Sequence, residues 1–333
     1  MPITFNATSG ITFNDGSTQN TRPAVGFRNR IINGDMRIDQ RNAGSSQTFT
    51  AAAALAYSVD RFYGYCTGAN ATGQRVAGTA PNEFAYRFTG AASVTAIGFG
   101  TRLEATNTTD LAGSTATLSV QLANSLLTTV TWTAFYATTA DAFGTLASPT
   151  RTQIATGTFT VTSTLTTYSA QISVPSAATT GIEIVFTVGA QTSGTWTIDN
   201  VQLEAGSTAT EFERRPIGTE LALCQRYYYE LPSGATNAFV INAGQQTNGN
   251  ALGNVYHPVN MRTAPELGVA GTTAAYYTVV NSTTVACTSL PAISGMSSPR
   301  GTGITMGANA SVGFASWIAA ATSDGKLSFN SEL

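Results

Sequence analysis

Charge is scarce in this chain. Asp, Glu, Lys and Arg make up 10% of its 333 residues, against about a quarter in an average soluble domain. The formal net charge of -2 provides no field that would draw the chain to a phosphate backbone or an anionic membrane surface, so neither nucleic acid nor membrane is expected as a partner. Lysine is nearly missing: of 16 basic residues only Lys326 is Lys, a bias that suits planar, bidentate pairing at protein contacts. Histidine occurs once, at 257. Any Cys–His machinery therefore has a single base to draw on, and Pro258 restricts the backbone of His257 for reasons unrelated to catalysis. Cys66, Cys224 and Cys287 form no CxxC or zinc-like spacing, which argues against a disulfide framework or a metal knot and for reduced, buried thiols. No run approaches the ~18 apolar residues of a membrane helix, and "MPITFNATSG" lacks the basic-then-apolar order of a secretory leader. A soluble chain made in the cytosol is expected. Nucleotide-binding glycine loops are missing too, since "GTGITMG" at 301–307 has the wrong spacing.

What the chain does have is alternation. Phe84, Tyr86 and Phe88; Leu118, Val120 and Leu122; Val130, Trp132, Ala134 and Tyr136; Tyr168, Ala170, Ile172 and Val174; and Ile182, Ile184, Phe186 and Val188 each recur with period two, the signature of half-buried strands. Helical periodicity is confined to "PIGTELALCQR" at 216–226, where Pro216 suits a first turn and Thr219 is the expected cap. Near the N-terminus "ITFN" occurs twice, the second copy running into Asp15-Gly16, a tight-turn signal. The expected fold is all-β. A short N-terminal β-hairpin segment covers 1–29, a jelly-roll β-sandwich of about eight strands covers 30–215, one short connecting helix lies in a joint at 216–232, and a smaller C-terminal β-domain covers 233–333.

Several blocks carry a resemblance. "RNRIINGDMRIDQRN" at 28–42, "YSVDRFYGY" at 57–65, "WTIDNVQLEAGSTATEFERRPIGTELALCQRYYYE" at 196–230, "HPVNMRTAPEL" at 257–267 and the ending "LSFNSEL" resemble bacteriophage tail-fibre or appendage proteins, and "GITFNDGSTQNT" is similar to a short repeat near the N-termini of such fibres. The resemblance implies a virion protein, commonly a homotrimer, whose sandwich domain is similar to carbohydrate-binding modules; with it goes the expectation that the N-terminal segment docks to other virion proteins and that the C-terminal domain at 233–333 binds host-surface polysaccharide. In such modules the first and last strands are neighbours and often hold a structural calcium ion. Carried over, the opening "NGD" strand and the closing "WTIDNVQLE" strand would offer Asp35 and Asp199 as ligands, with Arg37 standing where such modules often have Glu. No other cofactor is implied. A purely structural virion decoration and a polysaccharide depolymerase are the alternatives.

Sugar binding needs aromatic faces for pyranose rings and polar groups for hydroxyls. Among the aromatic residues, Trp132 and Trp196 are read as core, and Tyr57 and Tyr136 are further candidates. The ligand expectation rests on Tyr276, Tyr277 and Trp317 in the terminal domain, with Tyr63 and Tyr65. Asp39, Asp60, Asp199, Glu204 and Glu211 are conceivable hydrolytic carboxylates, but spacing brings no two of them together and no catalytic residue is assigned. Arg22, Arg28 and Arg30 before the sandwich can meet Glu211 and Glu213 after it, within or between subunits, or both clusters can be solvated. "ELALCQRYYYE" at 220–230 reads as a joint near the oligomer axis, with Tyr227 and Tyr229 on one face and Tyr228 on the other, and the three tyrosines complete the expected assembly interface.

Overall fold

A computed structural model describes residues 4–6, 10–12, 18–19, 27–52, 54–231, 240–247, 249–270, 274, 277–280, 284–308, 315–321 and 325–333. The fold is all-β. Two six-stranded antiparallel sheets face one another as a jelly-roll sandwich. One runs in the order Thr166–Ser173, Thr115–Asn124, Thr195–Ala205, Phe84–Thr89, Ala71–Ala77 and Gln47–Phe49. The other runs Arg151–Thr160, Thr129–Ala137, Ile182–Val188, Ala96–Leu103, Phe62–Thr67 and Ala56–Tyr57.

The alternating runs supply the inner faces, because period two sends every second side chain to the same side. Leu118, Val120, Leu122, Ile184, Phe186 and Ile198 are fully buried, and so is Trp196, while Trp132 retains only 6% exposure. Ring stacking ties the sheets together: Phe99 lies parallel to both Phe62 and Tyr86 at 5.0 and 4.8 Å. Twelve strands stand where about eight were expected. The additional ones include edge strands such as Arg151–Thr160, "RTQIATGTFT", whose threonines are all exposed and whose inward Ala155 and Gly157 are too small to show a hydrophobic alternation.

The "NGD" segment is a turn and not a strand. It nevertheless lies against the closing strand, with Val201 N donating to the Gly34 carbonyl at 2.9 Å and Arg30 N to the Leu203 carbonyl at 2.8 Å. At the N-terminus, Thr4–Asn6, Gly10–Thr12 and Thr18–Gln19 form a three-stranded antiparallel sheet in place of a simple hairpin. The Asp15-Gly16 turn signal falls outside the described residues.

The helix spans Ile217–Gln225. Pro216 occupies the N-cap, Thr219 lies inside the first turn, and no side chain caps the end. Glu220 turns inward instead, accepting from the Asn33 main chain and from Arg215 at 3.2 Å. A second, one-turn helix, Ala105–Thr108, was not foreseen.

The remaining strands build two sheets on a second core that includes Leu231, Ile241, Val255, Ile304, Ile318 and Phe329. A seven-stranded sheet has the order Thr284–Ala286, Tyr277–Val280, Ala315–Ala320, Val240–Thr247, Asn250–Tyr256, Gly301–Gly307 and Ala292–Ser298. A three-stranded sheet joins Tyr228–Glu230, Leu327–Asn330 and Glu266–Val269.

Candidate ligand-binding face

Among the described residues, the exposed aromatic of the terminal sheet is Tyr256. In Asn250–Tyr256 the inward positions Ala251, Gly253 and Val255 are buried, while Asn254 and Tyr256 face solvent. Tyr256 is 82% exposed, and no ring or cation among the described residues covers it. The register explains the space around it: Tyr256 pairs with Gly301 and Asn254 with Gly303 on the next strand. A Cβ on Gly303 would come within 2.3 Å of Ser294 Oγ, so a larger residue there would require the Ser294 side chain to turn away. Beyond it the strand Ala292–Ser298 shifts register between Ile293 and Ser297, with Gly295 at φ 85°, and lifts Met296 to 55% exposure.

The result is a cleft of about 450 Å³, within the size range of small-ligand sites. Met296 and Tyr256 are among its apolar lining residues and Asn254, Ser297 and Arg300 among its polar ones. A second cleft of about 520 Å³ shares Asn254, Val255 and Tyr256 and extends to Asn242 and Tyr229. Tyr256 therefore borders both. Aromatic face, thioether and amides in one open trough can stack a sugar ring and read its hydroxyls.

The residues expected from sequence are placed differently. Tyr63 and Tyr277 are completely buried, so neither ring can meet a sugar from solvent. Tyr63 donates to Glu183 at 2.6 Å, and Tyr277 donates to the Lys326 carbonyl at 2.7 Å; burial pushes both phenols up. Tyr65 is half-buried on the sandwich, with its phenol raised by burial. Trp317 belongs to the strand Ala315–Ala320, and its side chain, like all of Tyr276, lies outside the described residues. Tyr256 escaped notice because it ends a short strand immediately before His257-Pro258, where alternation is brief. The available signal was the glycine spacing of "GTG" at 301–303 opposite it.

Asp35 and Asp199 do not form a calcium site. Calcium takes six to eight oxygens, whereas Arg37 Nε lies 2.6 Å from Asp35, and Asp199 accepts from Asn82 Nδ2 and from the Asn200 main chain. Arg214 bonds to the same Asn82. Guanidinium groups thus supply the positive charge, and among the described residues no three His, Cys, Asp or Glu converge on a metal position. Burial, aided by the charge of Asp35 and opposed by the Asn200 and Asn82 hydrogen bonds, pushes the Asp199 carboxyl up to about 7 from an ordinary 3.8. A carboxyl raised in this way binds its proton more tightly in the folded state, so stability falls as pH climbs from about 4 to about 7. Asp199→Asn will flatten that slope in urea titrations, and EDTA will leave Tm unchanged. A bound calcium ion would give the opposite sign, with stability lost on acidification and on chelation.

The assembly residues are engaged within the chain. Arg28 pairs with Glu204 at 3.2 Å, and its main-chain NH donates to Glu213 at 3.1 Å. Its guanidinium reaches the Glu211 carbonyl oxygen, so Glu211 contributes backbone and not its carboxylate. Arg30 pairs with Asp110 at 2.5 Å rather than with the glutamate cluster. Arg22 lies outside the described residues.

Tyr227 and Tyr228 serve the joint itself and are buried. The Arg61 guanidinium stacks 3.4 Å from the centre of the Tyr227 ring, and that of Arg41 lies 3.7 Å from Tyr228. Tyr229 packs parallel to Phe329 at 5.9 Å. The expected faces are therefore regrouped, two tyrosines toward sandwich arginines and one into the second core, because the strand starts only at Tyr228.

Nucleophilic chemistry finds no support in the geometry. Cys224 is buried, and desolvation together with Asp60 and Glu220 holds its thiol well above the usual value. His257, whose imidazole burial pushes below its ordinary value, hydrogen-bonds Thr302 at 3.1 Å and packs on Phe329. Asp39 bonds Gly44 N at 2.7 Å, Asp60 bonds Gln40 N at 3.0 Å, and Glu204 bonds Thr210 Oγ1 at 2.6 Å. Among the described residues no helix is long and apolar enough to cross a membrane.

No family model matches this chain, and no curated protein matches it. Among solved structures it is similar to TmCBM61 in complex with β-1,4-galactotriose, at 12% identity over 54% of this chain and 100% of that one, with a TM-score of 0.34. It is also similar to the C-terminal family 22 carbohydrate-binding module of Clostridium thermocellum Xyn10B, at 16% identity over 48% and 96% of the two chains, with a TM-score of 0.32. A third similarity is to the enzymatically active domain of tailspike protein 4 of bacteriophage CBA120, at 16% identity over 54% of this chain and 21% of that one, with a TM-score of 0.32.

Proposed function

We propose that this protein is a bacteriophage virion appendage, a tail fibre or similar attachment protein, that holds host-surface polysaccharide on the Tyr256 face and docks to the particle by its N-terminal segment. The single observation that carries the binding half is the open ring of Tyr256 bordering two clefts whose described lining also includes the amides of Asn242 and Asn254, the hydroxyl of Ser297 and the guanidinium of Arg300. The virion half rests on the sequence blocks at 28–42, 57–65 and 196–230. In a homotrimer, three weak sites would act together through high effective concentration, so modest affinity per site suffices.

The test passes the purified protein over immobilised host polysaccharide and follows retention and new reducing ends together. Retention without new ends is the expected result. New reducing ends would make the protein a depolymerase, and no retention on any host polysaccharide would leave it a structural virion component.

A further inference from the structure

Arg300 stands apart from the other arginines. It is exposed at the rim of the Tyr256 cleft, and its guanidinium makes no ion pair or hydrogen bond among the described residues. Apart from Arg87, every other described arginine is bound to a carboxylate, an amide or a backbone carbonyl, as Arg226 is to Glu104 and Arg262 is to the Ser331 carbonyl.

Its backbone is not loose. Pro299 and Arg300 form the two-residue turn between Ser298 and Gly301. The Pro299 carbonyl accepts from Met261 N at 2.9 Å, the Arg300 carbonyl accepts from His257 N at 3.0 Å, and Arg300 N donates to Ser298 Oγ at 3.3 Å. The segment 257–261 thus holds the turn from behind. Among the described residues neither cleft has an Asp or Glu in its lining, and Arg300 is the charged group there.

We infer that the Tyr256 cleft selects acidic glycans, with a sugar ring stacked on Tyr256 and the carboxylate of a uronic or sialic acid residue received by the Arg300 fork. A planar guanidinium matches a carboxylate with two parallel hydrogen bonds, and the ring beside it supplies an orientation-defining apolar surface. This rests on the reading of Tyr256 as a glycan platform and adds the chemical class of the ligand.

The experiment measures binding of tetragalacturonate and of a sialic acid oligomer, each beside its carboxyl-reduced counterpart, to the full chain and to the Arg300→Gln, Arg300→Lys and Tyr256→Ala variants. The acidic forms are expected to bind at least tenfold more tightly than the reduced forms at low salt, and the margin will shrink as salt screens the pair. Arg300→Gln will erase the margin, Arg300→Lys will retain part of it, and Tyr256→Ala will remove binding of both forms. Equal binding of acidic and reduced forms, unchanged in Arg300→Gln but lost in Tyr256→Ala, would overturn the acidic selectivity while leaving the Tyr256 platform standing. Binding unaffected by Tyr256→Ala, or no binding of any form, would overturn both.

Discussion

Replacing Glu332 by alanine will cost about 3–5 kcal/mol of folding stability, the range found when one partner of a buried ion pair is removed. Glu332 returns from the terminal sheet to the sandwich, where its carboxylate pairs with Arg61 and, at 3.2 Å, with Arg41. The Glu332 and Arg61 side chains are 3% and 2% exposed. Without the carboxylate, Arg61 stays buried with only the Arg102 carbonyl and the face of Tyr227 to compensate its charge. Glu332→Gln keeps the shape and one acceptor and will lose less. Arg61→Met with Glu332→Leu removes both charges and will recover much of the loss, because desolvation of the pair offsets most of its attraction. Urea denaturation of the four proteins checks the cycle, and a loss below 1 kcal/mol for Glu332→Ala would show that the pair does not close the joint.

Tyr256→Ala will weaken polysaccharide binding about 10- to 100-fold. Burying an aromatic side chain under a ligand contributes about 1.5–3 kcal/mol. The same substitution will leave Tm nearly unchanged, since an 82% exposed side chain contributes little to the core. That contrast separates the site from the scaffold: titration calorimetry should show the loss while thermal unfolding does not. A variant that binds normally would place the ligand elsewhere, and one that unfolds would show that Tyr256 supports the sheet.

The sandwich core was legible because its strands bury one face in two, and residues such as Leu118, Val120, Ile184 and Phe186 repeat that period in plain view. The edge strand Arg151–Thr160 was not, because its threonines face solvent and its inward Ala155 and Gly157 carry little hydrophobic signal. Pairing of Arg22, Arg28 and Arg30 with Glu211 and Glu213 was one of two open readings, and in the structure Arg28 reaches Glu204 and, through its main-chain NH, Glu213. Partner choice was not legible: Arg30 turned to Asp110 and Arg37 to Asp35, contacts that depend on loop geometry.

The site was the least visible part. Sequence reasoning favoured aromatics in runs, such as Tyr276-Tyr277, because adjacent residues on a strand point to opposite faces. In the structure the inward Tyr277 hydrogen-bonds the Lys326 carbonyl and fills the second core. Tyr256 depends on which glycines lie opposite it, a cross-strand relation between Tyr256 and the distant Gly301 that only pairing reveals.

The most direct test of the account is a crystal structure of the full chain with a retained oligosaccharide. The account predicts a sugar ring lying parallel to the face of Tyr256, with its polar groups on Asn254 and Arg300. A sugar bound on either sheet of the sandwich, with the Tyr256 face empty, would contradict it.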